Sequence, residues 1–166
     1  PTDKQEGFVV LDGGNNARYE GQLVWNQPIN ENWSVRLGAN LMKQNKGFFY
    51  NPLRDEYFDR QETEVYRGQV RYDNGPFSAN LLVEHGRDQL PGLMYQLLIP
   101  AGTNAIYPRG IFQDKYNISW NHPSSAKQQV NYAELVLEYD LGFGTVTSTS
   151  AVRERRSQNA YDRDAT

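Results

Sequence analysis

Cysteine is absent from the 166-residue chain, and its absence removes several kinds of chemistry together. Disulfide frameworks, thiolate zinc sites and cysteine nucleophiles are all excluded. Long apolar runs are also missing, and the mean hydropathy is -0.77. Because a membrane helix needs roughly 20 consecutive apolar residues, an α-helical span is excluded. The wall of a β-barrel is not excluded, since its strands need only about 10 residues of alternating character.

An excess of positive charge is the third missing feature. The chain has 17 Lys and Arg against 20 Asp and Glu, which gives a formal net charge of -3. No stripe rich in Lys and Arg is present to neutralise a row of phosphates, so nucleic acid is not an expected partner. The chain begins at Pro1 without a signal-peptide pattern. We therefore expect any export signal to have been removed, and we interpret the chain as a fragment of a longer protein.

The dominant pattern in the chain is an alternation of apolar and polar residues with a period of two, which is typical of β-strands. It predicts an all-β, antiparallel, up-and-down fold of seven strands: Gly7 to Leu11, Ala17 to Trp25, Trp33 to Leu41, Tyr66 to Tyr72, Phe77 to Val83, Ala133 to Tyr139 and Thr145 to Arg153. The alternation places Leu23, Leu37, Val70, Leu81 and Leu135 on one face. The other face is predicted to carry Arg18, Glu20, Gln22, Arg36, Arg67, Arg71, Glu134 and Glu138.

The connections between the predicted strands alternate between short and long. Three tight turns join strands into hairpins, and the Asn74-Gly75 pair is a strong turn signal. Two long stretches, Lys43 to Glu62 and Gly86 to Lys127, separate the hairpins. Short turns at one rim and long loops at the other are typical of a transmembrane β-barrel.

Aromatic residues flank each tight turn. We interpret five of them as a membrane girdle, because amphipathic rings collect at a membrane-water interface. The alternative is that the same rings fill a soluble core. The predicted girdle residues are Trp25, Trp33, Tyr72, Phe77 and Tyr139.

The two long loops combine aromatic residues with arginines, which suits an anionic ligand with flat rings. The alternative is that these residues pack the loops against each other. The candidate ligand-binding residues are Phe49, Tyr50, Arg54, Tyr57 and Arg60 in the first loop, and Arg87, Tyr95, Tyr107, Arg109 and Trp120 in the second.

No catalytic or metal-binding pattern stands out in the sequence. His85 and His122 are far apart and neither has a second ligand at a suitable spacing. The carboxylate pairs lie in loops with basic neighbours, and no Gly-x-Ser-x-Gly elbow occurs. We therefore expect a protein that is not an enzyme and that has no cofactor.

The order of residues resembles the start of the barrel of a TonB-dependent receptor, and the resemblance covers residues 1–166. It is carried by Pro1-Thr2, Gly7, the Gly13 to Asn16 turn, Tyr19-Glu20-Gly21, Pro28-Ile29, Trp33, Arg36-Leu37-Gly38, Lys46-Gly47, Glu138-Tyr139-Asp140, Gly142, Gly144 to Ser148, Arg153 and Asp164-Ala165-Thr166. The resemblance implies an outer-membrane barrel of about 22 strands, of which about 15 would lie outside this chain. It further implies uptake of a scarce nutrient such as a ferric siderophore, a plug domain ahead of Pro1, and coupling to TonB through that absent region.

Two other interpretations remain open from the sequence. The length permits a small self-contained outer-membrane barrel of about eight strands. A soluble β-sandwich that binds carbohydrate through aromatic loops is the second alternative, and it belongs to a different functional class.

Overall fold

The computed structural model describes residues 1–92, 116, 121–122 and 124–161. The described residues form nine strands: β1 (Glu6–Gly14), β2 (Arg18–Pro28), β3 (Trp33–Gln44), β4 (Phe49–Asn51), β5 (Glu56–Phe58), β6 (Gln61–Asn74), β7 (Phe77–Leu90), β8 (Ser125–Asp140) and β9 (Thr145–Ala160). Within these residues, no helix is long and apolar enough to cross a membrane.

Seven of the strands form one antiparallel sheet in the order β1-β2-β3-β6-β7-β8-β9, while β4 and β5 pair separately. Each strand of the large sheet therefore lies beside the strands that come before and after it in the chain, apart from the β4–β5 insertion. The predicted all-β, up-and-down arrangement of seven strands is confirmed. Within the described residues β1 and β9 do not pair with each other, as predicted.

The sheet has two chemically different faces, and the strand register assigns every side chain to one of them. Residues directly opposite each other on neighbouring strands project to the same side. Leu23 lies opposite Ala39, Leu37 opposite Gly68, and Leu81 opposite both Val70 and Leu135. The predicted apolar set thus shares one side, which we call the leucine face. The predicted polar set projects from the other side, which we call the opposite face.

The leucine face is divided into two zones along the strands. Near the tight turns it carries an apolar band, made of Val9, Leu11, Leu23, Trp25, Trp33, Val35, Leu37, Ala39, Leu41, Tyr66, Val70, Tyr72, Phe77, Ala79, Leu81, Val83, Ala133, Leu135, Leu137, Tyr139, Val146 and Val152. Nearer the long connections the same face carries a polar extension, made of Lys43, Glu62, Glu64, His85, Arg87, Gln89, Lys127, Gln129, Asn131, Glu154, Arg156 and Gln158.

Most of the strands are longer than predicted, and the predicted loop boundaries are wrong for that reason. β7 continues from Val83 to Leu90, and β8 begins at Ser125 rather than Ala133. The added residues pair in register across β7 and β8, so their backbone groups are hydrogen-bonded although their side chains do not continue the apolar pattern of the leucine face. Ala17, predicted to start the second strand, lies instead in the β1–β2 turn with φ of 51°.

Two of the tight turns have local chemistry that explains where their hairpins reverse. Gly75 has φ of 60°, a left-handed conformation that glycine adopts without strain, and it directly follows the last residue of β6. Between β2 and β3, the side-chain oxygen of Asn30 accepts hydrogen bonds from the N–H groups of Asn32 and Trp33, each at 2.9 Å. These contacts fix the hairpin registers at this end of the sheet.

The sheet is not covered by a second layer in the part of the chain that the structure describes. Phe58 is the one hydrophobic side chain there that is buried, and it belongs to the small β4–β5 hairpin. Leu11 is 79% exposed and Leu37 is 49% exposed. Among the described residues, the apolar band is therefore an uncovered surface rather than one half of a core.

Candidate ligand-binding rim

Both long connections leave the sheet at the same end, opposite the tight turns. β3 leads into residues 45–60 and β7 leads into residues 91–124, and antiparallel pairing places these two departures side by side. Both long connections therefore leave the sheet from one rim, as predicted. The two connections also contact each other. The N–H of Tyr50 donates to the carbonyl oxygen of Tyr116 at 2.9 Å, and the ring centres of Phe49 and Tyr116 lie 6.3 Å apart.

The first loop contains a compact structure that we call the rim hairpin, residues 46–60. Its two short strands, β4 and β5, pair Phe49 with Phe58 and Tyr50 with Tyr57. Gly47 passes so close to the carbonyl oxygen of Phe58 that a Cβ atom at this position would overlap it. Glycine is therefore required there for the hairpin to close against the end of β5.

Asp59 holds the base of the rim hairpin together. Its Oδ1 accepts hydrogen bonds from the N–H groups of Phe48 at 2.6 Å and Phe49 at 3.2 Å. Burial raises the pKa of Asp59 above its usual range, and these two N–H groups act in the opposite direction. With φ of 56°, Asp59 also makes the sharp turn from β5 toward β6.

The exposed surface of the rim hairpin is built from paired tyrosines. The rings of Tyr50 and Tyr57 lie 5.2 Å apart, and the ammonium nitrogen of Lys46 lies 4.7 Å from the centre of the Tyr57 ring. The Tyr50 hydroxyl donates to Oδ1 of Asp55 at 2.7 Å, and this hydrogen bond raises the pKa of Tyr50. The hydrogen bond thus holds the hydroxyl in one orientation.

The two predicted arginines of this loop are held by Glu56. Arg54 forms an ion pair with Glu56, and Nη2 of Arg60 lies 3.9 Å from the same carboxylate. Arg54 also donates to the carbonyl oxygen of Asn121 at 3.2 Å, so it bridges the two loops. Arg60 is the more exposed of the two, with 55% of its side chain accessible against 36% for Arg54.

Apart from Arg87, the predicted ligand-binding residues divide into two groups. Those of the first loop are brought together in or beside the rim hairpin: Phe49, Tyr50, Arg54, Tyr57 and Arg60. Those of the second loop other than Arg87 lie outside the described residues: Tyr95, Tyr107, Arg109 and Trp120. Lys46 was not predicted, although a lysine beside a cluster of aromatic residues is a signal that could have identified it.

The predicted position of Arg87 is wrong. Arg87 was predicted in the second loop, but it lies within β7 opposite Gln129 of β8. Its register places it on the leucine face, in the polar extension, and not on the opposite face. The prediction failed because the end of β7 is polar on both sides, so alternation gives no sign that the strand continues.

The opposite face carries a network of polar contacts. Arg67 donates to Glu84 on the neighbouring strand at 2.8 Å, and Arg36 lies 3.5 Å from Glu6. Three buried polar atoms on this face have no hydrogen-bond partner within the described residues: Arg36 Nε, Asn40 Oδ1 and Asn80 Oδ1. Such atoms need water or another polar group, so this face is suited to a wet or polar environment.

The start of the described chain is fixed to the same face. Asn26 is completely buried, and its amide nitrogen donates to the Thr2 hydroxyl at 2.8 Å and to the Lys4 carbonyl at 2.6 Å. In return, the N–H of Thr2 donates to Asn26 Oδ1 at 2.9 Å. Residues 2–4 are thus held across β2 by one side chain.

The predicted girdle residues all lie on the leucine face, and four of them cluster near the tight turns. Trp33 and Tyr72 are directly opposite each other with ring centres 4.8 Å apart, and Tyr72 lies 6.1 Å from Phe77, which is opposite Tyr139. Trp25 lies deeper in the band, opposite Leu37. The aromatic residues therefore form a row along β3, β6, β7 and β8, with Trp25 set apart from it.

Within the described residues, no group of three His, Asp or Glu side chains is placed to hold a metal ion. His85 Nδ1 lies 2.7 Å from the side-chain oxygen of Asn131, so it is part of a hydrogen-bonded strand pair. Comparisons of the chain with protein-family models, with curated proteins and with solved structures found no match. Function is therefore inferred from the geometry and chemistry of the sheet and its rim.

Proposed function

We propose that this chain forms part of the wall of an outer-membrane β-barrel that acts as a TonB-dependent receptor for an iron complex such as a ferric siderophore. The observation that carries the membrane placement is the uncovered apolar band. A folded domain normally buries the apolar face of a sheet against a second layer. Here, within the described residues, lipid is the environment that best matches an apolar surface of this size.

The dimensions of the band are compatible with that placement. It extends from Phe77 to Val83 on β7 and from Trp33 to Leu41 on β3. At about 3.4 Å per residue these stretches are roughly 20 to 27 Å long, close to the apolar belt of about 25 Å that surrounds outer-membrane barrels. The row of aromatic rings near the tight turns suits one membrane-water interface.

The receptor function is supported by the asymmetry of the two rims. Long loops that meet over one rim are suited to recognising a ligand from outside, and the rim hairpin presents tyrosines beside Lys46 and Arg60. Stacking rings and positive groups suit an anionic chelate. A carbohydrate-binding sandwich is less well supported, because the described residues contain no second sheet that could pack against the leucine face.

Membrane placement can be tested by cysteine labelling of the complete protein in a Gram-negative host. Leu81→Cys lies in the band and Gln89→Cys lies on the same face of the same strand in the polar extension. A membrane-impermeant maleimide should label the cysteine at position 89 in intact cells and leave position 81 unlabelled until detergent is added. Equal labelling of both positions without detergent would rule out a lipid-covered band.

Receptor function can be tested by uptake of a labelled ferric siderophore. Arg60→Ala should weaken binding of an anionic complex, by about 1 to 3 kcal/mol if Arg60 contacts the ligand. Arg71→Ala is a matched control, since Arg71 is an exposed arginine paired with Asp73 near the other rim. Normal binding and uptake by variants of Lys46, Tyr57 and Arg60 would exclude the rim hairpin as a recognition surface.

A further inference from the structure

A recess in the polar extension of the leucine face has a chemistry that the receptor function does not use. We call it the cationic recess, and its side chains on this face are His85, Arg87, Lys127, Gln129, Arg156 and Gln158. Its volume is about 440 Å³, and none of its lining residues is a carboxylate. The arginine, lysine and glutamine side chains that line it can all donate hydrogen bonds, which is what an anion such as phosphate requires.

The recess directly adjoins the apolar band. His85 and Asn131 form the row of paired residues next to Val83 and Ala133, which are the last apolar pair on β7 and β8. Arg87 and Gln129 form the following row on this face. At about 3.4 Å per residue, the guanidinium-bearing row starts roughly 14 Å beyond the last apolar row, on the side toward the long loops.

Two of the three strong cations of the recess have no anionic partner in the described part of the chain. Arg87 and Lys127 are both exposed and neither takes part in an ion pair there. Glu64 of β6 lies directly opposite Arg87 of β7, but the two side chains form no ion pair. Positive charge in this recess is thus available although the chain as a whole has a net charge of -3.

The third cation is positioned by a relay of hydrogen bonds across three strands. His85 Nδ1 contacts Asn131 Oδ1 at 2.7 Å, Asn131 Nδ2 donates to Glu154 Oε2 at 3.3 Å, and Glu154 Oε1 accepts from Arg156 Nε at 3.0 Å. Glu154 itself does not line the recess. The relay therefore fixes the Arg156 side chain, of which 75% remains exposed, at the edge of the recess.

We propose that the cationic recess binds the phosphate groups of a glycolipid in the outer membrane leaflet, whose acyl chains lie along the apolar band. This inference rests on the proposed outer-membrane placement. It follows from charge complementarity and from continuity, because an anionic headgroup site next to an apolar surface matches both ends of one lipid. A free anion would require the recess but not its position beside the band.

The test measures binding of fluorescent bisphosphorylated lipid A to the complete protein in detergent. Arg87→Gln with Lys127→Gln should weaken binding about 30-fold, because each surface Lys or Arg contributes about a factor of five toward anionic lipid. Arg153→Gln with Arg155→Gln is the matched control, since it removes two cations from the opposite face of β9 and should leave binding unchanged. Arg87→Lys with Lys127→Arg preserves the charge and should retain binding.

Two further binding measurements identify the source of the phosphate. A separate fractionation experiment distinguishes this inference from the proposed outer-membrane placement. Lipid A without its phosphates should bind weakly, and inorganic phosphate should not compete at comparable concentrations. Equal binding by the recess and control variants, phosphate-independent binding, or competition by inorganic phosphate would each overturn the inference. Fractionation reports on the placement separately: protein that is found in the outer membrane but shows one of those results refutes the lipid site alone.

Discussion

The tight-turn half of the leucine face carries leucine, valine and aromatic side chains, whereas the loop half of the same strands carries lysine, arginine, glutamate and glutamine. The backbone pairing is continuous through both halves, from Phe77 to Leu90 on β7 and from Ser125 to Asp140 on β8. Strand formation in this sheet therefore does not depend on the polarity of its side chains. What changes along each strand is whether its side chains on the leucine face suit an apolar or a polar environment.

A charge placed in each half of the leucine face tests the difference between the two halves most directly. Leu81→Arg should lower the free energy of unfolding in lipid vesicles by about 2 to 4 kcal/mol, since a charge near the middle of the bilayer is poorly solvated. Gln89→Arg, on the same strand and face, should change it by at most about 1 kcal/mol. Denaturant titration of both variants of the complete protein measures the difference. Equal losses would mean that the two halves share one environment.

The opposite face allows a second contrast, between an asparagine whose side chain is fully hydrogen-bonded and one whose side-chain oxygen has no hydrogen-bond partner in the described residues. Asn26→Ala removes hydrogen bonds to Thr2 and Lys4 and should destabilise the protein by about 1 to 3 kcal/mol. Asn40→Ala removes a side chain whose buried oxygen has no partner in the described residues, and its effect should be near zero or stabilising. A larger loss at Asn40 than at Asn26 in the same unfolding measurement would contradict this.

Aromatic pairs occur both in the large sheet and in the rim hairpin, and we expect them to contribute differently to global stability. A double-mutant cycle on Trp33 and Tyr72, each changed to alanine, should give a coupling of about 0.5 to 1.5 kcal/mol in global unfolding. The same cycle on Tyr50 and Tyr57 should give little coupling there, because the rim hairpin lies outside the large sheet. Coupling that is equal in the two cycles would show that the hairpin unfolds together with the sheet.

The smallest expected effect concerns the ion pair between Arg67 and Glu84. Glu84→Gln should cost about 0.2 to 1 kcal/mol at low salt and less at high salt, because 56% of the arginine side chain is exposed and the pair is screened. Glu64→Gln is the control, since Glu64 forms no ion pair in the described residues. A loss at position 84 that does not depend on salt would argue against an electrostatic origin.

Period-two alternation predicted the existence and order of all seven sheet strands, and the facing of β2, β3, β6, β7 and β8, because the apolar band imposes it. It assigns no face to β1, and it is weak in β9, where Ser148 and Ser150 lie between Val146 and Val152. It failed where the band ends. Strand β8 begins eight residues before Ala133, in a stretch where the leucine face becomes polar and Val130 and Tyr132 lie on the opposite face, so the alternation changes phase. The same change to polar residues on the leucine face placed Arg87 in a loop.

The rim hairpin was missed for a different reason. Its strands have three residues each, and Phe49, Tyr50, Tyr57 and Phe58 put aromatic rings on both sides, so no period appears. Its shape depends on contacts between residues 47–49 and residues 58–59, which sequence spacing does not reveal. The five candidate residues of this loop nevertheless lie together at one rim. Their aromatic and arginine content was enough to identify the segment in the sequence, although the hairpin was not predicted.

The strand order β1-β2-β3-β6-β7-β8-β9 has a consequence for how the chain folds and how it can vary. The four-residue turn at residues 141–144 closes a hairpin with little loss of chain entropy, whereas closing residues 91–124 costs about 2 kcal/mol more by the logarithmic dependence on loop length. We expect the hairpins to form first and the rim to close last. Doubling a long loop would add only about 0.6 kcal/mol. The rim is therefore the part of the molecule where insertions can change the proposed recognition surface while the register of the sheet is kept.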